Sequence, residues 1–104
     1  MTERDPRTRE DVAVATRRVA ARPPRFSVVL YNDDYTSMEF VVELLETLFR
    51  KSPAEAVQVM LKVHKEGRGV AGVYPRDVAE TKVLTVHEKA RSAGFPLRAG
   101  VEEG

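Results

Sequence analysis

The sequence has no cysteine and no tryptophan, and only 7% of its residues are aromatic. Without cysteine there is no disulfide framework, no thiolate zinc site and no cysteine nucleophile, a composition that fits a reducing compartment. A cytoplasmic location is therefore expected. No apolar run approaches the ~20 residues that a membrane-spanning helix needs. The opening Met1-Thr2-Glu3-Arg4-Asp5-Pro6 has no apolar stretch of the kind found in a signal peptide. Charge of one sign is also missing. The formal net charge is +1, so nothing global draws the chain to nucleic acid or to an anionic membrane. What remains is 104 residues, 42% of them hydrophobic, enough for one domain with a modest core.

Charge is distributed unevenly along the chain. Residues 1–25 hold seven arginines and four acids (7 − 4 = +3), whereas residues 26–104 hold ten basic and twelve acidic residues (10 − 12 = −2). The first segment contains no leucine, isoleucine or aromatic residue, too little apolar surface to offset the entropy of ordering it. Residues 1–24 are expected to form a flexible extension and residues 25–104 the folded domain. Acids mixed among the arginines, and the lack of an aromatic residue for base stacking, argue against a nucleic-acid arm.

Pro23-Pro24 closes the extension. Arg25–Tyr31 is β-branched and aromatic and predicts a strand. Asn32-Asp33-Asp34-Tyr35 then supplies turn-forming residues. Thr36 with Glu39 reads as a capping box that opens a helix running to about Lys51, with Phe40, Val41, Leu44, Leu45 and Leu48 at helical spacing. Ser52-Pro53-Ala54-Glu55 repeats the pattern of cap, proline and glutamate. The helix it opens carries Ala56, Val57, Met60, Leu61, Val63 and His64 and stops near Gly67. Val70–Tyr74 is a short strand, Asp77–Ser92 a third helix closed by Gly94, and Leu97–Val101 a last strand. The order is β-α-α-β-α-β. One crossover helix makes the second and third strands parallel to each other, which leaves the first to sit between them, antiparallel to both. The expected fold is an α+β sandwich, a three-stranded sheet covered by three helices.

Few residues carry chemistry. Asp33 and Asp34 are adjacent, so their side chains diverge and cannot face each other as an acid–base pair. Glycines 67, 69 and 72 follow a helix and precede a strand, the reverse of a dinucleotide-binding turn. Asp33, Asp34 and His64 make a thin ligand set for a metal. Neither catalytic residue, metal nor cofactor is expected, and the chain reads as a binding module. A carboxylate, an amide oxygen and an imidazole nitrogen are all acceptors, and three of them match the three donors of an ammonium group. Met38 with Val41, and Met60 with Val63, each share a helix face. Spacing alone does not decide whether these four line a groove or fill the core.

The run Tyr31-Asn32-Asp33-Asp34-Tyr35-Thr36-Ser37-Met38-Glu39-Phe40-Val41 resembles the signature of the ClpS adaptors. So do Met60-Leu61-Lys62-Val63-His64, Gly67-Arg68-Gly69, Gly72-Val73-Tyr74, Asp77–Val83 and Phe95-Pro96-Leu97. The match covers residues 24–103, with Ser37 where proline is usual and Asp77 where glutamate is common. The resemblance implies an adaptor that binds proteins beginning with Leu, Phe, Tyr or Trp (N-degrons) and delivers them to the ClpA unfoldase of the ClpAP protease. By position it implies that Asn32, Asp34 and His64 contact the substrate's α-amino group, with Asp33 and Thr36 at the entrance. Met38, Val41, Met60, Val63 and Leu97 would line the side-chain pocket, and Asp77, Glu80 and Lys82 would dock on the ClpA N-terminal domain. The extension would assist handover, and a monomer is the default. The same element order also resembles the C-terminal domain of the ribosomal stalk protein, a protein-interaction domain that has no use for the Asn32/Asp34/His64 triplet.

Overall fold

The structure is a computed structural model and describes residues 24–104; the expected extension, residues 1–24, lies outside this range except for Pro24. Strand β1 (Phe26–Tyr31) leads through a polar turn into helix α1 (Met38–Thr47), followed by α2 (Pro53–Glu66), β2 (Arg68–Tyr74), α3 (Arg76–Ala93) and β3 (Arg98–Glu103). The sheet order is β2-β1-β3, with β1 antiparallel to both neighbours. This is the three-stranded, three-helix α+β sandwich expected from the element order.

Strand β1 occupies the centre because it is the most apolar strand. Val28, Val29 and Leu30 are fully buried. A bulge in β2 opposite Val28 and Val29, where Gly72 and Val70 are the partners, leaves Ala71 as the extra residue, fully buried. Val41, Leu44 and Leu45 of α1, Phe49 beyond it, Ala56 and Val63 of α2, Ala79, Val86 and Ala90 of α3, and Leu97 before β3 complete the core. Small residues on α2 and α3 let both helices approach the sheet. Gly69 of β2 packs so close to α2 that a Cβ there would stand 2.8 Å from Val63 Cγ2.

Helix ends differ in part from expectation. Ser52, Pro53 and Glu55 form the expected capping box, with Ser52 Oγ accepting from Glu55 N at 3.2 Å and Glu55 Oε1 accepting from Ser52 N at 3.0 Å. The bond from Ser52 N, aided by the Ser52 hydroxyl, also holds the exposed Glu55 carboxyl below its ordinary pKa. The Thr36–Glu39 box does not form. Ser37 caps α1 instead, its Oγ accepting from Phe40 N at 3.1 Å. That shift puts Phe40, which has no acceptor, at the position a capping glutamate would need. Helix α1 also stops at Thr47 and not at Lys51, because Arg50 turns into the left-handed region (φ 59°) and Lys51 N donates back to Leu45 O at 3.0 Å.

Candidate functional site

The polar turn after β1 is built by one of its two aspartates. Asp33 Oδ1 accepts from Tyr35 N (2.8 Å) and Thr36 N (2.7 Å), and Asp33 Oδ2 accepts from Thr36 Oγ1 (2.7 Å). Burial would raise the pKa of this carboxyl, but the three donated hydrogen bonds outweigh it and hold Asp33 below the ordinary aspartate value. Asp33 is thus committed to shaping the turn. Asp34 makes no hydrogen bond to another described side chain or backbone group, and it is exposed. The two neighbours differ: one carboxylate folds the loop and the other is used by no other described group.

A second link brings the end of α2 to this turn. Gly67 adopts φ 90°, closing α2, and its carbonyl accepts from Asn32 N at 3.0 Å. His64 lies one turn before Gly67 on α2, so this bond ties the asparagine turn to the histidine helix. The left-handed conformation explains why glycine stands there.

Between these polar groups and the two helices lies a cavity of about 220 Å³. Asn32, Asp33, Asp34, Thr36 and His64 stand among its lining residues, together with Met38, Val41, Met60, Val63 and Leu97. All ten residues singled out in the sequence for amine binding, entrance and side-chain pocket therefore line one space. Asn32, Asp34 and His64 are exposed, whereas Val41, Val63 and Leu97 are buried, at 6%, 3% and 4% relative exposure. Met38 is exposed and Met60 half-buried. The arrangement is a polar mouth over an apolar floor. Its volume is below the ~300–1,000 Å³ of pockets that hold whole small molecules, and is on the scale of a single side chain. The question that helical spacing left open has a divided answer: Val41 and Val63 belong both to the core and to the cavity wall.

Tyr31 also lines the cavity and was not among the expected residues. Its ring lies along Gly100 of β3, and its hydroxyl donates to Glu102 Oε2 at 3.3 Å. Arg68 of β2 pairs with the same carboxylate, so one glutamate joins all three strands beside the cavity. A glycine inside an otherwise ordinary strand was the available signal, since it marks a close approach.

Asp77, Glu80 and Lys82 lie on α3 and do not line the cavity. Asp77 is in the first turn, where a negative charge is favourable, and Glu80 pairs with Arg76 at 3.3 Å. Lys82 is engaged inside the protein. Its Nζ donates to Leu48 O at 2.9 Å, capping α1, and sits 5.5 Å and 6.0 Å from the ring centres of Tyr74 and Phe49. Among the described residues no cluster of three or more His, Asp or Glu could hold a metal ion, and no helix is long and apolar enough to cross a membrane.

Comparison with known proteins agrees with this architecture. Residues 21–100 match the family described as ATP-dependent Clp protease adaptor protein ClpS. The adapter protein ClpS of Oleidesulfovibrio alaskensis is 53% identical over 103 residues, 99% of each chain. That of Wolinella succinogenes is 61% identical over 85 residues, 82% of this chain and 83% of its own. In three dimensions the chain is similar to Agrobacterium tumefaciens ClpS2 bound to L-phenylalaninamide. The TM-score is 0.76 at 41% identity, covering 80% of this chain and all of the other.

Proposed function

The chain belongs to the ClpS family of Clp protease adaptors, and from that premise we propose that its cavity captures the first residue of proteins beginning with Leu, Phe, Tyr or Trp. Asn32, Asp34 and His64 accept the three hydrogen bonds of the free α-ammonium group, and the side chain of the same residue enters between Met38, Val41, Met60, Val63 and Leu97. Asp33 and Thr36 frame the mouth. The single observation that carries this reading is the coincidence of both sets on one cavity, polar at the rim and apolar within.

The energetics support it. Burying a Leu or Phe side chain contributes about 1.5–3 kcal/mol, and each charge-assisted hydrogen bond contributes a further ~1.5–3 kcal/mol. After the cost of ordering the peptide, micromolar affinity follows from one residue. An internal leucine offers no ammonium and would cover the Asp34 carboxylate without pairing it, which is unfavourable. The unbranched, polarisable methionines at the rim adapt to both aliphatic and aromatic shapes. The ligand bound to the Agrobacterium relative is an amino acid amide with an aromatic side chain, which fits the same requirement.

Delivery is the second half of the proposal. The bound substrate passes to the ClpA unfoldase of ClpAP, with Asp77 and Glu80 on the exposed side of α3 as docking contacts; Lys82 supports that surface from beneath by anchoring α3 to the end of α1. Residues 1–24 assist handover, and the adaptor acts as a monomer in the cytoplasm without cofactor or metal.

Titration with a fluorescent Leu-start peptide, free and N-acetylated, tests the reading. The free peptide is expected to bind with micromolar or better affinity and the acetylated peptide at least about a hundredfold more weakly, the scale of two lost charge-assisted bonds. Equal binding of the two peptides removes the proposal.

A further inference from the structure

Leu97 reaches the cavity from a short segment between α3 and β3, and how that segment is fixed has consequences for the cavity wall. Its upstream end is held by Gly94 in the left-handed conformation, by Phe95 N donating to Ala90 O at 2.8 Å, and by the Phe95 ring packed on Phe40 at 5.1 Å. Downstream lies β3, whose one sheet partner among the described residues is β1. Ala99, opposite Leu30 in that pairing, has an N–H that does not go to a strand. It donates to Nε2 of His87 on α3, at 3.0 Å in a half-buried setting. No other side chain among the described residues receives a β3 backbone N–H.

We propose that His87 is a positioning residue for the side-chain cavity: by accepting from Ala99 N, it fixes the start of β3 against α3 and so sets where the Leu97 wall stands. The inference rests on the proposed capture of a first residue in this cavity. Its chemistry is restrictive. Nε2 accepts only while unprotonated, so the ring carries its hydrogen on Nδ1. Ala99 is two residues from Leu97, which stands immediately before β3, so a displacement at the start of the strand passes through one intervening residue to Leu97. With Leu97 only 4% exposed, the wall moves as a packed unit. His87 itself does not line the cavity, so its effect on a ligand passes through the strand.

Two variants that differ by one methylene make the test. In His87→Gln the amide oxygen stands where Nε2 stood and still reaches Ala99 N. In His87→Asn the same amide falls short of it. The full chain of each is titrated with the free Leu-start and Phe-start peptides, and the Leu97 methyl resonances and Ala99 amide exchange are read without peptide. His87→Gln is expected to bind within about twofold of the parent. His87→Asn is expected to bind roughly five- to tenfold more weakly, the scale of one hydrogen bond, with shifted Leu97 methyls and faster exchange at Ala99. Equal peptide affinity of the two variants, or unmoved Leu97 methyls in His87→Asn, overturns the inference. A parent protein that binds neither peptide overturns the proposed capture instead, and the methyl comparison still decides whether His87 positions the wall.

Discussion

Asp33 and Asp34 are the same residue type side by side, and their environments give them different work. Asp33 spends both carboxylate oxygens on Tyr35 and Thr36, so removing it should unfold the turn. Asp34 holds up no other described group. Replacing Asp34 with alanine is therefore expected to leave the unfolding midpoint within about 0.5 kcal/mol of the parent while weakening Leu-start peptide binding at least tenfold, the loss of one charge-assisted bond. Denaturation and titration on the same sample check both halves; unchanged affinity would take Asp34 out of the amine site. Adjacent aspartates in a turn carry no sign in the sequence of which one folds the loop, because that depends on the hydroxyl and amides that Thr36 and Tyr35 present once the turn is closed. That Asn32, Asp34 and His64 come together at one cavity was legible through motif resemblance. Tyr31 and His87 were not, since a tyrosine ending a strand and a histidine in the middle of a helix carry no pattern of their own until β3 is placed beside them.

Caps decide where each element begins, and here two serines do that work. Ser52 was readable because proline follows it at the first helical position and glutamate stands at the third, and the box forms as the pattern demands. At α1 two hydroxyl residues compete. Thr36 followed by Glu39 has the better local pattern, yet Asp33 draws the Thr36 hydroxyl away and Ser37 takes the cap. The loser of that competition was set by a residue outside the helix, which is why periodicity missed it. Ser37→Ala should accordingly destabilise the domain by about 0.5–2 kcal/mol, measured by urea unfolding. A neutral Ser37→Ala would return the cap to Thr36. The cap bears on function as well, because Met38 is the first helical residue after it and sits on the cavity rim.

At the level of the whole molecule, every described residue that lines the cavity falls in the span from Tyr31 to Leu97, inside the folded domain. The central position of β1 was legible from connectivity, because one crossover helix and a two-helix return leave only that strand free to pair on both edges. The cavity was not legible in that way, since it arises where the end of β1, the end of α2 and the approach to β3 converge, which element order alone does not fix. The composition of residues 1–24, basic and without leucine, isoleucine or aromatic residues, suits a tether and not a wall. Capture and delivery should then separate. Deleting residues 1–20 is expected to leave the affinity for a Leu-start peptide within about twofold, less than ~0.5 kcal/mol, while slowing degradation of a Leu-start substrate by the reconstituted protease. Unaltered degradation by the shortened adaptor would assign handover to the folded domain itself, and a parallel loss of peptide affinity would show that the extension belongs to the binding site.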